Sequence, residues 1–364
     1  MVGFEYLALK RQKEITVYSK NDMVLAVDYH DEILVIRRFN CHTGEERLLK
    51  IPTIRKDITR FVDEAVAEAN LVGGRVHWIM ESTNGWVRVK ALLGDKAQMV
   101  VSNVLQMPLP PKAHRKKTDK IDTKRLLREF LCGMLPEAFQ PSGQLRQVRR
   151  VTAARESLVS RRTALRNWIN RYLSHETWIS RKGLWSETGM SRLEKFASSI
   201  ENSDRVVLLS KLSELKNIDA LLEDIISEII RIYKQWPQAQ WVDEIYGIAE
   251  ISAVSILSRI GPVERFSNAE KLISFAGLAP GVHQSAKTCR SSKIGGGGTD
   301  KHLRHYIIEA TIWARKIPRY QPTYERVKAK RGNKIARIVV GRLLLRSIYK
   351  MLKDGVRFDR LPAA

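Results

Sequence analysis

Short apolar runs alternate with helical patterns in the first third of the chain. MVLAVDY at Met23–Tyr29 reads as a buried strand carrying Asp28 near its end. EILVIRRF at Glu32–Phe39 follows a tight turn, and ERLLKI at Glu46–Ile51 reads as a third strand, so the start is an antiparallel meander. Within Arg55–Asn70 the apolar positions Ile58, Phe61, Val62, Ala65 and Ala69 recur at helical spacing, and Gly73 and Gly74 stop the helix. RVHWIME at Arg75–Glu81 predicts a strand ending on Glu81, Asn84–Leu93 a helix, and Ala97–Val101 a fifth strand. Pro108, Pro110 and Pro111 then interrupt regular structure. Three strands, helix, strand, helix, strand, helix is an α/β arrangement with an antiparallel start.

The pattern then becomes helical. Between Gln144 and Gln235 glycine is scarce, and two series of apolar positions predict long helices folding back as a hairpin or coiled coil. One runs from Leu145 to Tyr172 and the other from Leu208 to Ile232, with a polar, tryptophan-bearing break around Gly183–Ser203. The hairpin is open to two readings, a structural spacer or a dimerising or RNA-contacting arm. VDEIYGIAEISAVSILSRIG at Val242–Gly261 resembles a helix-hairpin-helix, whose turn presents backbone N–H groups to a phosphate, with Ala249 at the second glycine position. FSNAEKLISFAGLAPG follows, with Ser267 or Asn268 as N-cap and Gly277 as the stop. Val282–Thr299 reads as a loop holding Ser285, Ser291 and Ser292 beside Lys287, Arg290 and Lys293, and ending in the glycine run Gly295–Gly298. Asp300–Lys316 predicts an amphipathic helix and Ile335–Leu352 a basic final one.

Charge narrows the partners. Among 364 residues, 63 Lys and Arg against 39 Asp and Glu leave a net +24, which calls for a polyanion. The basic residues are spread along the whole chain, which favours nucleic acid over a membrane surface. No apolar run reaches the ~18 residues of a membrane span, and no signal peptide is expected at the N-terminus. Cys41, Cys132 and Cys289 are odd in number and far apart, with no pair at metal-ligand spacing, which argues against a disulfide framework or structural zinc and fits a reducing cytoplasm, with the protein associated with the nucleoid.

The candidate chemistry starts at AHRKKTDKIDTKRLLR, Ala113–Arg128. Asp119 and Asp122 lie three apart, on one face of a helix that Leu126, Leu127 and Phe130 would seat on a core. Two carboxylates aimed together repel, so either neighbouring Lys balances them or a divalent metal does. If the first and fourth strands are neighbours, Asp28 and Glu81 meet at one edge and this helix closes over them. Four converging carboxylates cannot all stay ionised and dry, which is the argument for one or two Mg²⁺ or Mn²⁺ ions.

VLAVDYH, WIMEST and HRKKTDKIDTKRL, with FSNAEKLISFAGLAPGVHQSAK and KHLRHYIIEA after them, resemble one family of insertion-sequence transposases, the DEDD-and-serine recombinases guided by a bridge RNA. The resemblance covers roughly residues 23–315 in the expected order. It implies a ribonuclease-H-like (RuvC-like) domain over 20–135 with Asp28, Glu81, Asp119 and Asp122 as metal ligands. It further implies a helical coiled-coil region over 144–236 and a mostly helical transposase domain over 237–353 with Ser285 as nucleophile. The implied partners are donor and target DNA, a structured guide RNA, and further copies of the chain in a dimer or tetramer, where the acidic site of one protomer serves the serine of another. No membrane is involved. The segment IGGGGTDKHLR departs from the family pattern, with Thr299 where glycine is common and no matching Lys; Ser291 and Ser292 are the alternative nucleophiles.

Two other readings compete. A RuvC-like junction nuclease would use metal-activated water and leave Ser285 idle. A non-catalytic nucleic-acid-binding protein needs only the charge and the hairpin, and leaves the acidic residues without a role.

Overall fold

The computed structural model describes residues 18–82, 85–107, 118–201, 203–279, 282–285, 288–291, 294–296 and 298–361, with the two short segments at 282–285 and 288–291 described by backbone alone. Pro108, Pro110, Pro111, Lys287, Ser292 and Lys293 lie outside the described residues. The chain divides into two compact units, one up to Gln140 and one from Pro141.

The first unit is a mixed five-stranded sheet with helices on both faces. Its strands are β1 (Met23–Tyr29), β2 (Ile33–Asn40), β3 (Glu46–Pro52), β4 (Val76–Glu81) and β5 (Gln98–Ser102), in the order β3-β2-β1-β4-β5. β2 pairs antiparallel with β1 and with β3, while β4 runs parallel to β1 and to β5. Helices α1 (Arg55–Leu71), α2 (Trp86–Leu93) and α3 (Asp119–Leu131) complete the unit. Successive side chains of a strand point to opposite faces. Leu25 and Val27 of β1 pack with Ile58, Val62 and Ala65 of α1, and Val24 and Ala26 pack with Leu126, Leu127 and Phe130 of α3. A strand buried on both faces therefore reads as a continuous apolar run. Burial of each Val, Leu, Ile or Phe side chain among these contributes about 1.5–3 kcal/mol.

Two buried polar groups hold the layers in register. Asp22, just before β1, accepts from the Ser19 N–H at 2.7 Å, the Arg75 N–H at 2.8 Å and the His77 ring Nε2 at 2.8 Å. Burial opposes ionisation of Asp22, but these bonds together hold its carboxyl below the usual value. The stability it supplies is therefore present above the ordinary carboxylate value and is lost as pH falls through the lowered one. Asp22→Ala strands three donors, and the expected cost is about 3 kcal/mol, measured by denaturant unfolding at neutral pH. Arg37 of β2 is 5% exposed and reaches α3, donating to the Lys120 carbonyl at 2.8 Å and Thr123 Oγ1 at 3.4 Å, and it pairs with Glu46.

The second unit is helical. Helices α4 (Gly143–Glu176) and α6 (Asp204–Lys234) form an antiparallel hairpin in which Leu158, Leu165, Ile169 and Leu173 pack with Leu208, Leu212, Leu215 and Leu222. Arg162 and Arg166 meet Asp219 while Tyr172 meets Asp204, which sets the antiparallel sense. The break expected around Gly183–Ser203 holds a helix of its own, α5 (Glu187–Ser199). Ser186 caps it, and it buries only Gly189, Leu193 and Ala197, too narrow a stripe to stand out from its polar neighbours.

α7 (Pro237–Asp243) and α8 (Glu250–Ile260) form the second hairpin. Its turn carries Gly247 at φ 104°, and a Cβ there would lie 2.6 Å from the Ala310 carbonyl oxygen, so glycine is required. Ala249 has φ −115°, extended backbone that any residue adopts, which is why alanine serves at the second position. α9 (Ala269–Phe275) is capped by Asn268. A two-stranded ribbon, β6 (Val282–Ser285) and β7 (Thr288–Ser291), stands where the sequence reads as loop. α10 (Lys301–Ala314) and α11 (Gln321–Asp354) follow; α11 begins before Ile335 and is broken at Gly332, φ 80°. No helix among the described residues is long and apolar enough to cross a membrane.

Candidate functional site

Strand geometry sets the acidic residues. Val24, Ala26 and Asp28 alternate onto the face covered by α3, and Ile79 and Glu81 of the neighbouring strand share that parity. The parallel register carries Val27 beside Met80, so Asp28 and Glu81 sit one residue further on, at adjacent strand ends. α3 begins above them, with Thr118 as N-cap accepting from the Ile121 N–H at 3.4 Å. Asp119 and Asp122 occupy its first turn, where the helix dipole favours negative charge. Arg37 grips the same turn from below through the Lys120 carbonyl.

The structure brings Asp28 and Asp119 together and adds His30. One ligand atom from each lies within 4.8 Å of the other two, and this is the group of that kind among the described residues. His30 Nε2 is 3.3 Å from Asp28 Oδ2 and 3.7 Å from Asp119 Oδ1. Asp122 is not in the triplet but acts on Asp28 through its charge, and Glu81 ends β4 outside it. Burial pushes the Asp28 carboxyl above its usual range; His30 opposes this, while Asp119 and Asp122 add to it. The Asp28 side chain is 16% exposed, whereas those of His30 and Asp119 are 52% exposed, so the group is anchored on one side and open to solvent on the other. Carboxylate oxygens and one imidazole nitrogen around a shared point form a donor set that fits a divalent cation.

His30 is the residue that sequence reasoning missed. Its signal is the spacing VDYH, two positions past Asp28 and so on the same side of an extended chain. After a strand end it reads as part of a polar turn.

Ser285 ends β6 and pairs with Thr288 across the ribbon; its side chain lies outside what the structure describes. Ser291 pairs with Val282, and Arg290 with His283. The segment bearing the ribbon is held at its base. The Asp300 N–H donates to the Phe275 carbonyl at 2.7 Å, and the Asp300 carboxylate caps α10 by accepting from His302 and Leu303 N–H at 3.0 and 2.8 Å. Arg304 lies against both ends of the segment: a Cβ on Gly277 would be 2.4 Å, and on Gly295 2.5 Å, from its Nη1.

Two family models match. One described as transposase, of the DEDD type, covers residues 40–176, and one described as transposase of the IS116/IS110/IS902 family covers residues 239–326. The chain is similar to the transposase for insertion sequence element IS1111A of Coxiella burnetii, with 24% identity over 57% of each chain. It is also similar to the putative transposase y4qE of Sinorhizobium fredii, with 23% identity over 64% of this chain and 56% of the relative. The chain thus spans just over half the length of the curated relatives it matches.

Proposed function

We propose that the chain is a DEDD insertion-sequence transposase, in line with the two family models it matches, and that it cuts and rejoins DNA through Ser285 with a divalent-metal acidic site. The observation that carries the reading is the meeting of Asp28, at the end of β1, with Asp119, in the first turn of the helix covering it. A sheet in the order β3-β2-β1-β4-β5, with three antiparallel strands followed by two parallel ones, supports a ribonuclease-H-like fold for this unit.

In this reading Asp28, Asp119, Asp122 and Glu81 hold the ion, Mg²⁺ or Mn²⁺. When bound, it supplies positive charge to the phosphoryl oxygens as charge builds on them. Ser285 Oγ forms a bond to phosphorus while the bond from phosphorus to one deoxyribose oxygen breaks. The serine gives up its proton and the departing oxygen gains one. One phosphodiester replaces another, so a freed DNA hydroxyl later attacks the phosphoserine and restores both a DNA strand and the free serine.

The partners follow from the charge. Donor and target DNA and a structured RNA encoded by the element together offer the polyanion that +24 demands, and further copies of the chain complete the assembly. Protein expressed with its flanking DNA is expected to co-purify with one discrete RNA; recovery of only random trimmed RNA overturns guidance. Affinity for DNA is expected to fall roughly 10³-fold between about 50 and about 200 mM salt, measured by fluorescence anisotropy, and a flat response overturns the polyanion reading. The function is tested by incubating the complex with donor and target DNA and Mg²⁺. Recombinant junctions are expected with the metal and none in excess EDTA; full activity in EDTA removes the metal from the mechanism.

A further inference from the structure

We propose that His30 is a nitrogen ligand of the acidic centre, making it a mixed nitrogen–oxygen site that takes Mn²⁺ and later divalent ions in preference to Mg²⁺. The inference rests on the metal-site reading above and deepens it by naming a ligand and a metal preference.

The first argument is distance. Adjacent ligands of an octahedral ion with bonds of about 2.1 Å lie about 3.0 Å apart, and opposite ones about 4.2 Å. His30 Nε2 stands 3.3 Å from Asp28 Oδ2, close to the adjacent spacing, and 3.7 Å from Asp119 Oδ1, between the two spacings. A charge-assisted hydrogen bond between imidazole and carboxylate is shorter, about 2.7–2.9 Å. The same unit contains such a pair: His77 Nε2 meets Asp22 Oδ2 at 2.8 Å, both buried, with the His77 ring against Phe130 of α3. His77 is thus committed to one carboxylate as a structural partner. His30 aims one nitrogen between two carboxylates at a spacing that a shared ion would fill.

The second argument is placement. His30 follows β1 directly, two residues past Asp28, and β1 has Val24 and Ala26 locked beneath α3. Asp28 is therefore fixed from below by the sheet core and Asp119 from above by the helix that Arg37 secures. The imidazole enters from the open side, half exposed, where it is free to exchange a carboxylate contact for an ion.

The chemical consequence is selectivity. Mg²⁺ holds oxygen ligands and keeps its waters, whereas imidazole suits the later ions Fe²⁺, Co²⁺, Ni²⁺ and Zn²⁺; Mn²⁺, at the foot of that order, gains less from it than they do but more than Mg²⁺. An all-carboxylate centre would not draw that distinction so strongly.

The test uses the full-length protein with its co-purified RNA, with Asp119→Asn protein as the background for ions held by RNA or surface carboxylates. Mn²⁺ binding is measured by titration calorimetry and by pulsed electron paramagnetic resonance, which reads nitrogen nuclei bonded to Mn²⁺; Mg²⁺ is measured by competition. Wild-type protein is expected to show a site-specific Mn²⁺ ion with the nitrogen signal of one imidazole, bound about tenfold or more tightly than Mg²⁺. His30→Ala is expected to lose that signal and weaken Mn²⁺ about 10- to 100-fold, with little change for Mg²⁺. Mn²⁺ bound without a nitrogen signal, or a signal that survives in His30→Ala, overturns the role of His30 and leaves the acidic centre standing. Equal ion binding by wild-type and Asp119→Asn protein overturns the metal centre itself, and His30 with it.

Discussion

Asp119→Asn and Asp28→Asn are each expected to abolish DNA cleavage, with a loss of about a thousandfold or more in the rate of strand breakage. Both changes keep shape and remove one negative charge from the acidic centre proposed to hold the ion. Neither should unfold the protein. Asp119 is half exposed at a helix start, and Arg37 holds that turn through backbone and Thr123 without using the Asp119 carboxylate. Asp28 goes further. Burial has pushed its carboxyl up, and Asp119 and Asp122 reinforce the push against His30. A carboxyl with a raised value favours the folded state most when it is protonated. That contribution is complete below the ordinary carboxylate value and is lost as pH rises through the raised one. At neutral pH without metal, ionised Asp28 is therefore a burden on the first unit, and Asp28→Asn is expected to melt at the same temperature or higher. Scanning calorimetry in EDTA and a cleavage assay in Mg²⁺ together make the test. A variant that melts much lower has lost activity by unfolding, and a variant that cleaves normally removes its residue from the centre.

The elements that could be read from the chain are those whose burial is one-dimensional. β1 and β4 are apolar throughout because both sheet faces are covered, and α1 shows its stripe because one face is not. Asp119 and Asp122 were legible as a pair because helical spacing alone fixes their common side. Other features depend on what lies opposite in space. Arg37 looks like any charged strand residue until α3 is set over it, and only then does its burial at 5% exposure make sense. His30 belongs to a turn in sequence and to the acidic centre in space, because α3, more than eighty positions later, brings Asp119 to it. The β6–β7 ribbon was hidden for a different reason: its strands read VHQS and TCRS, which carry no apolar alternation, so backbone pairing has no signature there.

Ser285→Ala is expected to abolish both recombination and the covalent attachment of DNA to protein, while DNA binding changes less than about twofold, since one hydroxyl adds little to an interface dominated by phosphate contacts. The reasoning begins with products. A serine nucleophile leaves protein joined to DNA through a phosphodiester, whereas a metal-activated water leaves two free ends. Transposase and junction nuclease thus differ in a single denatured sample. Labelled DNA, Mg²⁺ and the protein with its RNA are incubated and quenched in SDS. A labelled band that shifts on protease digestion marks the adduct, and mass spectrometry of its peptide names the attached residue. Ser285 stands last in β6, paired with Thr288 at one end of the ribbon. Ser291 stands at the other end of the same ribbon, paired with Val282. The two candidates therefore predict attachment at opposite ends of one hairpin. Attachment at Ser285 with loss in Ser285→Ala supports the assignment. Attachment at Ser291 or Ser292 moves the nucleophile along the segment and keeps the transposase chemistry. Cleavage with no adduct in the wild-type protein assigns the attack to water, and Ser285 is then an ordinary ribbon residue.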